Sequence, residues 1–578
     1  MKLRFQFVVL IVAFASASVC LAGGGMRPER AEHGMVVSVH ELASQAGVEM
    51  LQAGGNAIDA AVATGFALAV VHPAAGNIGG GGFMLIRMND GETHFLDYRE
   101  KAPGKATADM YQDAQGNVIP QLSRVGYKAS GVPGSVKGLI HAQQRFGKLR
   151  LKQVMTPAIR LASDGFALGW GDARSMTNDA GLAQYPDSKR IFQNGGKGWR
   201  PGDIFRQPEL ARTLKRIVAA PDDFYRGRMA REFAEFVQHG GGLITVEDMA
   251  NYDVKEREPV RGAYRGLEII SAPPPSSGGI ALIEALNILE GYDLAKAGFG
   301  SAESIHLIAE AYRRAFYDRA QFLGDPEFSD VPVMRLADKK YAVDWRSSIN
   351  LQRASSSSRL ERPETSIELT RYATEHPVFA PGKEATQTTH YSVVDADGNA
   401  VAVTTTLNGG FGSKVTVGPL GFLLNNEMDD FSAKTGVPNM FGLLQSDANA
   451  VGPNKRPLSA MTPTIVLKDG KLWLVLGTPG GPTIITTVAN ILIGAADFGL
   501  DIQQAVNAPR FHHQWIPDRI LMERDRFSPD TINLLKNAGH TIVFGGGGDG
   551  ECIQIDLPTG VRLGASDARN ESGKAVGY

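Results

Sequence analysis

The residues best suited to catalysis are a threonine pair, Thr388-Thr389, which opens the strand-rich C-terminal third of the chain. A polar stretch over 351–385, with a serine run followed by charged residues and prolines, precedes the pair and is typical of an exposed linker that tolerates a cut. If Thr388 becomes the first residue of its chain, its own α-amine, with a reference pKa of about 7.7–8.0, can accept the hydroxyl proton. Before the cut, the same hydroxyl can attack the preceding carbonyl. The pattern therefore predicts self-cleavage between Gln387 and Thr388 and a threonine nucleophile in the product.

The elements around Thr388 must hold it in a fixed geometry, and their hydrophobic patterns indicate a layered α/β architecture. Two β-rich runs after it, 391–394 and 400–406, are joined by a hairpin turn at Asp397-Gly398. The part over 107–341 is predicted to be largely helical. Further predicted elements are strands over 35–39, 83–87, 422–424, 464–468 and 472–476, a hairpin turn at Asp469-Gly470, and helices over 44–53 and 57–71.

Composition and charge narrow the function classes. Of the 578 residues 43% are hydrophobic and 21% charged, and the formal charge is only -2, so nucleic acid is not a predicted partner. The first 22 residues have a positive start, a short apolar core and small residues before position 23, which predicts a signal peptide; a retained N-terminal anchor is the alternative. No later segment is apolar enough to span a membrane, so a periplasmic or secreted protein without a stable anchor is expected. After signal removal Cys552 is the one cysteine, which excludes an internal disulfide and a cysteine-based zinc site.

The motifs that point to a known family are spread over nearly the whole chain after the signal. They are GGNAIDA at 54–60, the run over 77–83, DYRE at 97–100, TTHYSVVD at 388–395, NNEMDDF at 425–431, KRPLS at 455–459 and PGG at 479–481. In this order they resemble the γ-glutamyltransferase family of N-terminal-nucleophile hydrolases. The resemblance implies an α/β (α+β) fold, a four-layer αββα sandwich. It also implies one precursor cut into a large subunit over 23–387 and a small catalytic subunit over 388–578, with no cofactor.

The resemblance implies roles for single residues. Thr388 matches the nucleophile, Thr406 the threonine that hydrogen-bonds it, and Gly480 and Gly481 the backbone N–H donors of an oxyanion hole. The substrate-binding positions are Arg99 and Ser459 for an α-carboxylate, and Asn408, Glu427 and Asp430 for an α-ammonium. Together they form a zwitterion clamp, and a γ-glutamyl group carries such a zwitterion three carbons from its scissile amide. The implied reaction cleaves the γ-glutamyl amide of glutathione and related compounds through a γ-glutamyl-enzyme, and passes the group to water or to an amino acid or peptide.

Two positions depart from the family pattern. Ala460 stands where the family often has a second serine, so one contact to the carboxylate is missing. Phe441, in a lid-like segment over 434–447, stands where a tyrosine often bridges to the residue matching Asn408. These departures bear on lid closure and affinity rather than on the type of reaction.

Two other functions are alternatives. A cephalosporin acylase uses the same type of nucleophile on a glutaryl side chain that lacks an α-amine, and a non-catalytic exported binding protein could have kept the fold. The retained Asp430, which would face that amine, favours a γ-glutamyl substrate. Other motifs predict no chemistry: His512-His513 lacks metal-ligand spacing and is interpreted as structural, and the glycine run over 79–82 lacks the spacing of a dinucleotide site. No metal site is predicted.

Overall fold

The computed structural model describes residues 26–119, 121–363 and 388–578; the predicted signal peptide and the Gln387–Thr388 bond lie outside these ranges. The strands are β1 Glu29–Ala31, β2 Met35–Ser38, β3 Gly81–Arg87, β4 Thr93–Tyr98, β5 Phe166–Ala167, β6 Ile204–Phe205, β7 Lys255–Arg257, β8 Val260–Tyr264, β9 Leu267–Ser271, β10 Thr388–Val394, β11 Ala400–Thr406, β12 Thr416–Val417, β13 Phe422–Leu423, β14 Thr464–Lys468, β15 Lys471–Leu476, β16 Phe511–His512, β17 Ile520–Met522, β18 Ile542–Phe544, β19 Glu551–Ile555, β20 Arg562–Ser566 and β21 Lys574–Gly577. The α-helices are α1 Glu41–Gln52, α2 Ala57–Val71, α3 Ser135–Phe146, α4 Leu151–Asp164, α5 Trp170–Asn178, α6 Pro186–Phe192, α7 Pro208–Ala219, α8 Asp223–Arg226, α9 Arg228–His239, α10 Val246–Ala250, α11 Gly278–Leu289, α12 Leu294–Ala297, α13 Ala302–Phe322, α14 Val333–Leu336, α15 Lys339–Ser347, α16 Thr483–Asp497, α17 Ile502–Asn507 and α18 Pro529–Asn537.

Two antiparallel sheets of seven strands each form the centre of the molecule. The first has the order β21-β2-β10-β11-β3-β4-β7, and the second has the order β1-β20-β19-β15-β14-β9-β8. Strands from before and after residue 388 are interleaved in the first sheet, where β2 lies between β21 and β10, and they also pair in the second sheet, where β14 lies beside β9. The two parts of the chain therefore share both sheets.

Three hydrophobic cores separate four layers. Phe83, Ile270 and Ile465 belong to the core between the sheets. On the outer side of the first sheet, Tyr391 packs with helices α1 to α4, and on the outer side of the second, residues of α11, α13 and α16 pack together. Helix, sheet, sheet and helix follow one another, so the predicted αββα sandwich is confirmed.

Local signals explain why several predicted elements match the structure. Asn56 caps α2 in a capping box with Asp59, and α2 then runs over the predicted residues, all of them buried. Asp469 and Gly470 both have positive φ, 52° and 73°, as a two-residue hairpin between β14 and β15 requires. Cap and turn chemistry therefore fixed these boundaries.

Two predictions hold in outline but miss local structure. The middle part is largely helical, as predicted, with α3 to α14 inside it, but β7, β8 and β9 also fall within it and extend both sheets. The start of the predicted linker is mostly exposed, as predicted, but it is anchored: Ser357 is buried and donates its N–H to Asp518, and Arg362 forms an ion pair with Asp318. These contacts tie the segment over 351–363 to the second sheet's helical layer, and 364–387 lies outside the described residues.

His512, interpreted from sequence as structural, is buried and bonded through its ring nitrogens to Thr486 and Gln514. Within the described ranges, the structure has no helix both long and apolar enough to cross a bilayer.

Candidate active site

Thr388 begins β10 and pairs directly with Thr406, the last residue of β11. Side chains alternate along a strand, and Tyr391 and Val403 pack toward the helices, so both threonines face the second sheet. Their Oγ1 atoms are 3.4 Å apart. Because Thr406 Oγ1 accepts the N–H of Asn408 at 2.7 Å, its hydroxyl proton is available for Thr388. Strand register alone therefore brings the predicted nucleophile to its predicted partner.

Gly480 and Gly481 lie between the end of β15 and the start of α16. Their φ values are +137° and +56°, and a Cβ on Gly481 would lie 2.9 Å from the ring of Phe441. Their carbonyls accept from Thr483 and Ile484 in the first turn of α16. Their N–H groups donate no hydrogen bond to any residue the structure describes. Unused N–H groups at the start of a helix suit a developing negative charge.

Arg99, directly after β4, is fully buried and bonded through all three nitrogens. Its Nε donates to the carbonyl of Pro457 at 3.2 Å, its Nη1 pairs with Glu427, and its Nη2 donates to Asp430 at 2.5 Å. Both acids lie on the 3₁₀ turn Glu427–Asp430. The groups predicted to hold opposite ends of a zwitterion are thus bonded directly to one another.

Burial dominates the electrostatics of this cluster. It raises the pKa of Glu427 well above its usual range despite the nearby Arg99, and it raises the pKa of Asp430 in the same way. Burial alone would lower the pKa of Arg99, but the carboxylates of Glu427 and Asp430 raise it above its usual value. Burial also raises the pKa of Glu100, which is 3.6 Å from Arg99, to about 7. Three acidic groups therefore crowd one guanidinium.

Asn408 and Ser459 complete the predicted set. Asn408 has a φ of +74° and donates its Nδ2 to the carbonyl of Asn426, which leaves Oδ1 as the atom able to accept from an ammonium. Ser459 Oγ accepts the N–H of Met461 at 3.0 Å, which leaves its proton free to donate to a carboxylate. The Ser459 backbone is held by the carbonyl of Pro275 and by Ser277.

One pocket brings these residues together. Its lining includes eight of the nine predicted site residues, Thr388, Thr406, Arg99, Asn408, Glu427, Asp430, Ser459 and Gly481. Gly480 is the neighbour of Gly481 and lies just outside the lining. The arrangement combines a hydroxyl, unused N–H donors, a cation and carboxylates around one small space.

Comparisons with known proteins agree with this geometry. The family model described as Gamma-glutamyltranspeptidase matches residues 43–577. The chain belongs to the γ-glutamyltranspeptidase family. It is 48% identical to the "Glutathione hydrolase proenzyme" of Escherichia coli (strain K12), with 95% of this chain and 93% of that protein covered. Two solved structures are similar: cephalosporin acylase from Bacillus halodurans (TM-score 0.82, 27% identity, 98% and 99% of the two chains) and Helicobacter pylori gamma-glutamyltranspeptidase (TM-score 0.57, 44% identity, 60% and 98%).

Both departures from the γ-glutamyltranspeptidase pattern line the same pocket. Ala460 is part of its wall beside Ser459, and Phe441 packs its ring over Gly481. Phe441 comes from the segment over 434–447, where the backbone N–H of the adjacent Met440 donates to Asp429 at 3.0 Å. The predicted lid-like segment thus contacts the site in this structure.

Two residues of the pocket region were missed from sequence. Arg319, in the last turn of α13, lines the pocket, and Glu100 lies behind Arg99. α13 carries several other charged residues, among them Asp318 directly before Arg319, so nothing in the sequence distinguishes Arg319. Glu100 follows Arg99 directly, but nothing in the sequence indicates that it is buried.

Proposed function

We propose that this chain is an exported glutathione hydrolase, made as a precursor that cleaves itself between Gln387 and Thr388. The observation that carries the proposal is the pocket that combines Thr388 with the Arg99 ion pair and the glycines before α16. The name of the E. coli relative supports the substrate, and residues 1–22 support export. The H. pylori chain matches 60% of this chain, close to the share that precedes Thr388, which supports the cut.

The two products of the cut would remain together. The large subunit over 23–387 would supply β2, β3, β4 and β7 of the first sheet, and the small subunit over 388–578 would supply β10, β11 and β21 between and beside them. Their backbones share hydrogen bonds along each shared edge, such as those of β10 with β2. Separation would expose those edges and the core between the sheets, so the subunits form one unit.

The γ-glutamyl group enters as a zwitterion and replaces an internal ion pair. Its α-carboxylate takes the place of the acids at Arg99 and accepts from Ser459 Oγ. Its α-ammonium donates to Glu427, Asp430 and Asn408 Oδ1. Since the acids already face the guanidinium, the exchange keeps every buried charge paired, which limits the cost of desolvation.

The chemical step begins when Thr388 Oγ1 attacks the γ-carbonyl carbon and its proton passes to the Thr388 α-amine. The N–H groups of Gly480 and Gly481 stabilise the oxyanion of the tetrahedral intermediate. The intermediate collapses with cleavage of the C–N bond, and the α-amine returns the proton to the leaving amine. Water, or the amine of an acceptor amino acid or peptide, then attacks the ester and releases Thr388.

Maturation uses the same hydroxyl. Before the cut, Thr388 Oγ1 attacks the carbonyl carbon of Gln387, and the peptide nitrogen takes up the proton that the hydroxyl loses and leaves as the new α-amine. Water hydrolyses the resulting ester. Thr406, 3.4 Å from the attacking oxygen, donates a hydrogen bond that orients it.

A denaturing gel and a glutathione assay test the proposal. The purified wild-type protein should run as two bands and release glutamate from glutathione, and a dipeptide acceptor should divert part of the γ-glutamyl group to a new peptide. Thr388→Ala should give one precursor band and no activity. Thr389→Ala is the matched control, because the Thr389 side chain is buried on the opposite face of β10, and it should cleave and remain active. Cleavage of the Thr388→Ala protein would refute the nucleophile.

Donor selectivity separates the proposal from its alternatives. A γ-glutamyl donor and a glutaryl donor with the same leaving group differ only at the α-position. Preference for the glutaryl donor would favour the acylase function of the B. halodurans neighbour, and a single uncut band with no turnover of either donor would favour a binding protein.

A further inference from the structure

Arg319 is a buried cation that the mechanism above does not use. It is 2% exposed, lies in the last turn of α13, and lines the same pocket as Thr388 and Ser459. Its Nε donates to Ser277 Oγ at 2.9 Å. Its Nη1 is buried and has no hydrogen-bond partner among the described residues.

A buried guanidinium N–H without an acceptor lowers the stability of the protein, so binding of an anion at this position would be favourable. Burial lowers the pKa of Arg319 to about 10, and Asp430 opposes that shift, so the side chain is still protonated at neutral pH. Asp430 is committed to Arg99 at 2.5 Å and forms no ion pair with Arg319. The free donor is therefore available to a ligand in the pocket.

A hydrogen-bond chain joins Arg319 to the carboxylate side of the predicted clamp. Ser277 accepts from Arg319 Nε and donates its own hydroxyl to the carbonyl of Ser459 at 2.6 Å. The Ser277 N–H donates to the same carbonyl at 2.8 Å. Arg319 thus fixes the Ser459 segment, and both residues line the same pocket.

The two arginines of the pocket differ in whether they have a free hydrogen-bond donor. Every nitrogen of Arg99 is bonded to protein, so Arg99 must release an acid before it can bind a substrate carboxylate. Arg319 needs no such exchange. The pocket region also holds three carboxyl groups, Glu100, Glu427 and Asp430. Arg319 is a second positive charge beside them when Arg99 binds a substrate carboxylate.

We propose that Arg319 is a second binding residue for the α-carboxylate of the γ-glutamyl group, donating from Nη1 while Ser277 holds its Nε. This rests on the proposed function. The substrate carboxylate would then lie between two guanidinium groups and the Ser459 hydroxyl. The arrangement selects donors with a free α-carboxylate and rejects those in which it is amidated.

The test compares two ligands that differ only in that carboxylate. Calorimetry on the cleaved protein would measure the binding of L-glutamate and of its α-amide, isoglutamine. Arg319→Gln should weaken L-glutamate binding roughly ten- to a hundredfold, as loss of a charged hydrogen bond typically does, and isoglutamine binding less than threefold. Arg319→Lys keeps the positive charge but not the planar guanidinium group, so its L-glutamate affinity should lie between those of wild type and Arg319→Gln.

Arg313→Lys is the matched control, since Arg313 is buried on the same helix but faces Glu310 and Asp518. It should change the binding of both ligands equally or not at all. Equal weakening of both ligands by Arg319→Lys and Arg319→Gln would overturn the proposal and make Arg319 purely structural. A wild-type protein that hydrolyses glutathione yet binds both ligands alike would overturn carboxylate recognition while leaving the proposed function intact. Failure to hydrolyse glutathione would overturn the proposed function itself.

Discussion

Two buried clusters of charged residues in this protein have similar composition but differ in how completely their acidic groups are hydrogen-bonded. In the first, on α13, both oxygens of Glu310 are used: Oε1 accepts from Arg313 and from the N–H of Ser355, and Oε2 accepts from Arg314 at 2.7 Å. Burial would raise the pKa of Glu310, but Arg313 and Arg314 lower it to about 2.

In the second, around Arg99, hydrogen bonds are too few for the acids present. Glu427 Oε2 and both oxygens of Glu100 have no hydrogen-bond partner among the described residues, and burial raises the pKa of both groups. Buried polar groups in stable structures are normally paired, so unpaired ones mark a place with another purpose. The α13 cluster stabilises the fold, and the pocket cluster keeps capacity for a ligand.

The largest expected effect on stability comes from a substitution that breaks the α13 cluster. Glu310→Gln leaves Arg313 and Arg314 without their shared counter-charge, and the loss of one partner from a buried ion pair typically costs about 3–5 kcal/mol of unfolding free energy. Urea unfolding would measure it. Glu427→Gln is the matched variant in the pocket, where Asp430 still pairs with Arg99 after the substitution, and its unfolding free energy should fall by less than that of Glu310→Gln while γ-glutamyl turnover falls. Equal destabilisation by both variants would erase the distinction between the clusters.

The pH dependence of stability should differ in sign between the clusters. The folded-state pKa of Glu100 is about 7, above its ordinary 4.5, so its contribution to stability is fully present below pH 4.5 and is lost as the pH rises to 7. At about 1.4 kcal/mol per pKa unit, the loss is about 3 kcal/mol. Glu100→Gln removes this pH-dependent loss. The unfolding free energy of the variant, relative to that of wild type, should therefore be higher at pH 8 than at pH 4.5, and urea unfolding at both pH values would measure it. Glu310, with its lowered pKa, contributes above pH 4.5 and loses that contribution only toward pH 2. A constant difference between Glu100→Gln and wild type would contradict the expectation.

Sequence predicted the parts of the fold that local chemistry decides. The capping box of Asn56 set the start of α2, and the Asp469-Gly470 turn set the β14–β15 hairpin. It missed β9, whose residues pair with β14 nearly 200 positions away, as Ile270 does with Ile465. β9 also pairs with β8 through a two-residue turn at Arg265-Gly266, where both residues have positive φ, so a local hairpin signal was present and was overlooked.

The site was predictable as a set of residues but not as a set of contacts. Thr388 and Thr406 followed from motif and strand register. The pairing of Arg99 with Glu427 depends on side chains 328 positions apart, which no spacing rule reveals. The polar serine run over 355–358 is typical of a linker, but the N–H of Ser355 donates to the buried Glu310 and the N–H of Ser357 donates to Asp518.

A smaller effect tests what the pocket cluster recognises. Asp430→Asn removes a charged acceptor for the α-ammonium, and such a hydrogen bond is typically worth about 1.5–3 kcal/mol. We expect roughly a ten- to hundredfold loss of kcat/KM for γ-glutamyl donors and far less for glutaryl donors, which lack the amine. Steady-state kinetics on both donors would measure it. Equal losses would show that Asp430 acts through Arg99 rather than on the substrate.

The smallest expected effect adds a donor to the pocket cluster instead of removing a group. Ala460 lines the pocket beside Ser459, and Ala460→Ser adds one oxygen with little steric demand. If the clamp has spare capacity on its carboxylate side, the new hydroxyl should bind the α-carboxylate. Because water can already fill such a gap, the gain should be about 1 kcal/mol, or about fivefold in KM, below the full value of a charged hydrogen bond. The gain belongs in KM because the carboxylate is remote from the scissile amide and is bound alike in the ground and transition states. It should vanish for a donor whose α-carboxylate is amidated. An equal gain on both donors, or a loss on both, would place position 460 away from the carboxylate and would weaken the assignment of Ser459 with it.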